Sequence, residues 1–243
     1  MLGLPADVRV CLFDMDGVLT RTATVHAAAW KQTFDEFLKR RAEERGEPFV
    51  PFDAGADYNA YVDGLPREQG VRSFLASRGI ELPDAGPGDT VAGLAERKNA
   101  LVTQLIESDG VEVYNGSVRY VKAAREAGLQ TAVVSSSANT HAVLKAANMG
   151  DLFDFVMDGT LARREGLKGK PAPDTFVAAG RKLAAEPPAA AVFEDAIAGV
   201  EAGRAGGFGV VVGVDRVGHA DALREHGADV VVQDLEELLE PGR

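Results

Sequence analysis

The chain has 243 residues, 46% hydrophobic and 26% charged, with 26 Lys plus Arg against 37 Asp plus Glu, a formal charge of −11. That is the composition of a globular protein whose core needs no disulfide staples, and its acidity argues against general nucleic-acid binding and against docking on an anionic membrane, both of which need basic surface. Cys11 is the single cysteine, so no intrachain disulfide is possible; acidic residues enter the N-terminal stretch too early for a signal peptide, and no apolar run approaches the ~18 residues of a membrane span. A cytoplasmic protein is the expectation.

The first β-branched run, VRVCLF (8–13), is followed by LQTAVV (129–134), FVM (155–157), 189–193, GVVVGV (209–214) and DVVV (229–232). These runs are apolar along their whole length rather than alternating, which is how strands buried on both faces of a parallel sheet read. Between the first and second runs lies a stretch, 20–105, with no convincing strand. Trp30, Phe34, Phe37 and Leu38 fall at i, i+4, i+7 and i+8, one apolar helix face; further helices are predicted near 66–79 and 89–108, with EPFVPFDAGADYN and LPDAGPGDT as loops. Beyond 106, strands alternate with helices predicted at 115–127 (stopped by Gly128), 139–148, 173–185 and 195–205. The predicted fold class is α/β: a doubly wound, Rossmann-like parallel sheet core over 1–19 and 106–243, with an α-helical cap domain, 20–105, inserted after strand 1.

Four strings carry chemistry, three of them at predicted strand ends and one just before a predicted helix. CLFDMDGVLT puts Asp14 and Asp16 at the end of the first strand, with Gly17 permitting a tight turn. Neighbouring carboxylates repel unless a cation lies between them or one holds a proton, and both conditions suit phosphoryl transfer by a carboxylate nucleophile with an acid/base and a divalent metal; a turn-capping pair is the plainer alternative. Ser135, Ser136, Ser137 and Asn139 follow the second strand, where hydroxyls and backbone amides can hold phosphate oxygens or simply cap a helix. Lys170 stands in GKPAPD, in a backbone stiffened by prolines. Glu194 and Asp195 end the fourth strand and add oxygen ligands of the kind Mg²⁺ takes.

In type, order and strand placement these strings resemble the four motifs of the haloacid dehalogenase-like superfamily. The resemblance implies that Asp14 attacks phosphorus, that Asp16 is the acid/base, and that Ser135 and Lys170 hold the transferring group. It also implies that Mg²⁺ is bound by Asp14, the Asp16 carbonyl, Asp195 and Glu194. An insertion between the first and second motifs is the family's subclass I cap. Within it, TATVHAAAWK, DGLPRE and LAERKNALV resemble the β-phosphoglucomutase family. That likeness implies substrate contacts from His26, Trp30, Gly64, Arg67 and Lys98 in the cap and from Ser136, Ser137 and Asn139 in the core, with Arg67 on the distal phosphate.

Three positions depart from that pattern: Arg21 stands where an acid is common, Ala138 where a Lys is common, and the basic segment DGTLARREGLKGK, with Arg163, Arg164 and Lys168, is long. The basic segment either replaces the missing positive charge or is a solvated loop. The implied activity is phosphomutase chemistry, interconverting β-glucose 1-phosphate and glucose 6-phosphate through an aspartyl phosphate and a sugar bisphosphate. A small sugar-phosphate phosphatase is the alternative, and a non-catalytic sugar-phosphate sensor a further one. Dehalogenases and phosphonatases of the superfamily lack the second Asp, which Asp16 supplies here. A monomer is expected, with a functional link to a disaccharide phosphorylase.

Overall fold

A computed structural model describes residues 2–239. In chain order the elements are β1 (Val10–Phe13), α1 (Ala23–Arg45), α2 (Ala56–Tyr61), α3 (Arg67–Ser77), α4 (Val91–Asp109), α5 (Asn115–Glu126), β2 (Gln130–Val134), α6 (Thr140–Ala146), β3 (Phe155–Met157), α7 (Gly159–Arg164), α8 (Asp174–Lys182), β4 (Ala190–Glu194), α9 (Ile197–Gly206), β5 (Val210–Val214), α10 (Ala220–Glu225) and β6 (Val230–Val232). The six strands form one parallel sheet in the order β3-β2-β1-β4-β5-β6. This is the doubly wound α/β arrangement that the apolar runs predict.

The chain divides into two compact units, one running up to Arg21 and again from Val111 onward, the other Thr22–Gly110. In the sheet unit, every residue of β1, β4 and β5 is buried, so each strand contributes on both faces. Phe13 stacks on Phe193 with centroids 4.4 Å apart, and Tyr120 meets both rings edge-on. The register pairs Phe13 with Val133 on one side and Phe193 on the other. The residues that follow on β1, β2 and β4 therefore emerge in one row at the carboxyl edge. Because the chain builds outward from β1 through β2 to β3 and then crosses to β4, the crevice at this edge lies at the topological switch point, where doubly wound sheets bind ligands.

The helical unit is held by an aromatic core. Trp30 stacks on Phe34 at 5.0 Å, and Phe34 packs on Phe74 and Phe52 at 4.3 and 5.2 Å. The face written by Trp30, Phe34, Phe37 and Leu38 is buried along α1.

Two segments differ from the loops read in the sequence. Residues 56–61, which begin in the Pro/Gly-rich stretch and run past its end at Asn59, form α2: the Asp53 carboxylate accepts from the Gly55 and Ala56 amides at 2.8 and 2.7 Å, which caps the turn, and Tyr58 buries its ring. The first half of the basic segment is α7, started by Asp158, whose carboxylate accepts from Leu161 N at 2.6 Å.

Candidate active site

Asp14 leaves β1 with its amide donating to the Phe193 carbonyl at 2.9 Å, so the last strand hydrogen bond fixes the residue itself. Its side chain is buried, and so is Lys170, which arrives from the loop before α8 and is 1% exposed. Lys170 Nζ donates to Asp14 Oδ1 at 2.5 Å and to the Val134 carbonyl at 3.1 Å, and lies 2.5 Å from Glu194 Oε1. A buried ammonium is stable only among such partners. Burial alone would lower its pKa; the Asp14 and Glu194 carboxylates outweigh that and raise it, so Lys170 is a fixed cation.

Glu194 is fully buried at the end of β4. Its Oε2 accepts from the Ala196 amide at 3.1 Å, and its Oε1 makes ion-pair distance to Lys170 without hydrogen-bond alignment. Both oxygens are thus directed at protein groups. Burial raises its pKa, against the lowering by Lys170. A methyl group at Gly199, in the first turns of α9, would meet Glu194 Oε1 at 1.8 Å, so only glycine lets the helix pass this carboxylate.

Asp195, half-buried, comes next. Oxygens of Asp14, Glu194 and Asp195 lie within 4.8 Å of one another. Gly17 has φ +82°, and a Cβ there would fall 1.7 Å from Asp195 Oδ2. The turn after Asp16 is therefore shaped around the Asp195 carboxylate. Residues 15–20 close on themselves: the Met15 carbonyl accepts from Leu19 N at 2.9 Å, Thr20 N at 3.0 Å and Thr20 Oγ1 at 3.1 Å, and Gly17 N donates to the Thr20 carbonyl at 2.8 Å. Lys170 pairs with the carboxylates of Asp14 and Glu194, and an Asp195 oxygen stands beside them. Hard oxygen donors clustered this closely fit a divalent cation.

Ser135 is buried immediately after Val134, whose carbonyl Lys170 holds. Its Oγ accepts from Ser137 N at 3.1 Å, Ser137 Oγ accepts from Asn139 N at 3.1 Å, and Gly159 N donates to the Ser137 carbonyl at 2.9 Å. Accepting from Ser137 leaves the Ser135 hydroxyl proton able to donate. Asp14, Ser135, Lys170, Glu194 and Asp195 are thus gathered at the ends of three adjacent strands, as is the turn that carries Asp16.

A second group gathers inside the helical unit. Lys98, on α4, places Nζ 2.6 Å from His26 Nδ1 and 4.9 Å from the centre of the Trp30 ring; His26 and Trp30 are one turn apart on α1. Burial, then the Lys98 charge, holds His26 well below the usual imidazole range. The ring is neutral, its Nδ1 accepts from the ammonium, and its proton is on Nε2. Arg67 begins α3, beside Gly64 with its φ of +69°. Its guanidinium lies 3.5 Å from Glu68 and 3.4 Å from Glu96, distances of loose ion pairs.

A buried carboxylate ion-paired to a buried lysine, beside clustered acids at a switch point, fits phosphoryl-transfer chemistry. The model of haloacid dehalogenase-like hydrolases matches residues 8–207. A β-phosphoglucomutase of Mycobacterium bovis is 56% identical over 98% of this chain and 94% of its own length. A phosphorylated carbohydrates phosphatase of Thermotoga maritima is 27% identical over 94% and 95%. The crystal structure of a β-phosphoglucomutase from Clostridium difficile superposes with a TM-score of 0.75 at 24% identity, covering 95% of this chain and 93% of that one. The chain belongs to the haloacid dehalogenase-like family, in its β-phosphoglucomutase-like branch.

Arg216 and Tyr114, which border the Asp16 turn, carry no sequence signal: one follows a strand in an ordinary loop, the other precedes a helix.

Proposed function

We propose that this protein is a Mg²⁺-dependent β-phosphoglucomutase that converts β-glucose 1-phosphate to glucose 6-phosphate through phosphorylated Asp14. The observation that carries the reading is the 56% identity, over nearly the whole length of both chains, to a β-phosphoglucomutase. The retention of both Asp14 and Asp16 in this chain supports it.

In the first half-reaction a carboxylate oxygen of Asp14 forms a bond to phosphorus of a sugar bisphosphate while the sugar O–P bond breaks. Asp16 gives its proton to the departing sugar oxygen, a transfer that contributes about 10²–10⁴-fold. The monophosphate departs, and the free 6-hydroxyl of a β-glucose 1-phosphate, its proton taken by Asp16, attacks phosphorus; this releases Asp14 and re-forms the bisphosphate, which turns over to present its other phosphate. Lys170, held by Glu194, stays charged throughout and stabilises the phosphoryl oxygens together with Ser135. Mg²⁺, held by Asp14, the Asp16 carbonyl and Asp195, would neutralise charge on the transferring group. Glu194, whose Oε2 accepts from the Ala196 amide and whose Oε1 lies at ion-pair distance from Lys170, would serve that ion as a further ligand, directly or through water.

Ser136, Ser137 and Asn139 complete the phosphate side. On the sugar side we assign His26, through its Nε2–H, and Lys98 to the substrate and the acid/base, with Trp30 as their packing wall. Arg67, at the Gly64 turn, takes the phosphate that is not transferred, since its guanidinium fork suits that group. We read the protein as a cytoplasmic monomer, fed by a reaction that releases β-glucose 1-phosphate, such as a disaccharide phosphorylase.

The test is incubation with Mg²⁺, β-glucose 1-phosphate and a trace of the bisphosphate. Glucose 6-phosphate in excess of free phosphate supports the mutase. Predominant phosphate release makes the protein a phosphatase, like the Thermotoga relative by name, and absence of any turnover makes it a sensor.

A further inference from the structure

The turn after β5 carries Arg216, whose side chain is 12% exposed. Its Nε donates to the Gly17 carbonyl at 2.8 Å. One terminal nitrogen donates to the Gln233 carbonyl at 2.5 Å and to Asp234 at 3.1 Å, and the other reaches the Val18 carbonyl at 3.4 Å and Ser117 Oγ at 3.3 Å. The guanidinium also lies 3.5 Å from the centre of the Tyr114 ring, which Arg21 approaches at 4.4 Å. An arginine has five N–H donors, and here every nitrogen is engaged by protein. Its fixed planar fork is a brace rather than a ligand site.

The braced groups belong to the turn that carries Asp16. Within that closed turn the carbonyls of Gly17 and Val18 point outward, and Arg216 holds both. Gly17 stands between this brace and the Asp195 carboxylate, against which it already leaves no room for a Cβ. Tyr114 N donates to the Leu19 carbonyl at 3.0 Å and Arg21 N to the Glu112 carbonyl at 2.9 Å. These backbone bonds join the same turn to residues 112–114, whose Tyr114 ring lies against Arg216 and Arg21.

We propose that Arg216 is a positioning residue for phosphoryl transfer: by holding the Gly17 and Val18 carbonyls it fixes the Asp16 backbone and carboxylate relative to Asp195. This rests on reading Asp14, Asp16 and Asp195 as the metal and phosphoryl site. Lysine cannot replace it, because an ammonium is a point charge that neither forks between two carbonyls nor stacks flat on a ring.

The experiment compares the parent with Arg216→Lys, Arg216→Gln and Tyr114→Leu. Binding of Mg²⁺ alone is measured by calorimetry without substrate, kcat and KM with β-glucose 1-phosphate, and the folded fraction by thermal unfolding. The expected result is a folded Arg216→Lys protein with Mg²⁺ affinity about tenfold weaker and kcat lower by about 10–100-fold, the scale of an ångström-level misplacement, while KM changes much less. Tyr114→Leu, which keeps the guanidinium hydrogen bonds, moves both in the same direction by less. Parental Mg²⁺ affinity and kcat in folded Arg216→Lys, or a kcat loss that only tracks the unfolded fraction in all variants, overturns the proposal. Calorimetry separates this result from the mutase reading: a parent that binds Mg²⁺ but turns over no sugar phosphate refutes the mutase alone, whereas parental Mg²⁺ affinity and kcat in folded Arg216→Lys refute the brace alone.

Discussion

Lys170 Nζ lies 2.5 Å from Asp14 Oδ1, and the same nitrogen is 2.5 Å from Glu194 Oε1. The lysine compensates two buried carboxylates at once, so its removal leaves them facing each other. Lys170→Met is expected to abolish turnover and to cost about 3–5 kcal/mol of stability at pH 8, the scale of an uncompensated buried charge. Burial already raises Glu194 above the usual carboxylate range, and the variant loses the group that lowers it. A carboxyl whose folded pKa is raised gains proton-linked stability as pH falls from neutrality towards its unfolded value. Urea unfolding at pH 8 and pH 5.5 should therefore show a smaller deficit relative to the parent at the lower pH.

Gly17→Ala tests how closely the first turn is fitted to Asp195. The substitution meets both a φ of +82° and a contact of 1.7 Å to Asp195 Oδ2. A loss of about 1–3 kcal/mol from backbone strain is expected, and turnover should fall by about 10² or more as the carboxylate is displaced. Thermal unfolding and steady-state rates measure the two effects separately.

The buried, neutral His26 makes stability depend on pH. Its folded pKa is depressed, by burial first and by Lys98 second, so the unfolded chain takes up a proton below pH 6.5 that the folded chain refuses. The parent should lose up to about 1.4 kcal/mol per pH unit on acidification below that value, and His26→Gln should lose less between pH 7.5 and pH 5.5. Equal slopes in chemical denaturation would remove the neutral tautomer assigned here.

Arg67 is only loosely paired, with Glu96 at 3.4 Å and Glu68 at 3.5 Å. If it takes the phosphate that is not transferred, Arg67→Ala should raise KM for sugar bisphosphate by about tenfold or more, the ~1.5–3 kcal/mol of a charge-assisted hydrogen bond. Phosphorylation of Asp14 by a small donor such as acetyl phosphate, which has no second phosphate, should be unchanged.

The elements that position the site were legible because they obey simple patterns. β1 and β4 are continuous apolar runs that stop at acids, so Asp14, Glu194 and Asp195 were placed from the sequence at the sheet edge where they stand. α1 announced itself through Trp30, Phe34, Phe37 and Leu38. Segments stabilised by local polar contacts were harder. α2 is capped by Asp53 and anchored by the Asp57–Arg78 ion pair at 2.8 Å, in a stretch whose Gly and Pro content reads as loop. α7 did carry a signal, Asp158 three residues before Leu161, but the basic residues around it masked the cap. Arg216 was invisible, because its partners are backbone carbonyls brought together only by the folded chain.

The central claim is that Asp14 carries the phosphoryl group and passes it to a sugar. The most direct measurement uses bisphosphate radiolabelled in its phosphoryl groups, mixed with enzyme, Mg²⁺ and β-glucose 1-phosphate, acid-quenched, and mapped by peptide mass. Label on the peptide containing Asp14, chased into sugar phosphate and absent in Asp14→Asn, is the predicted result. Label that never resides on Asp14, or that leaves it only as inorganic phosphate, would contradict it.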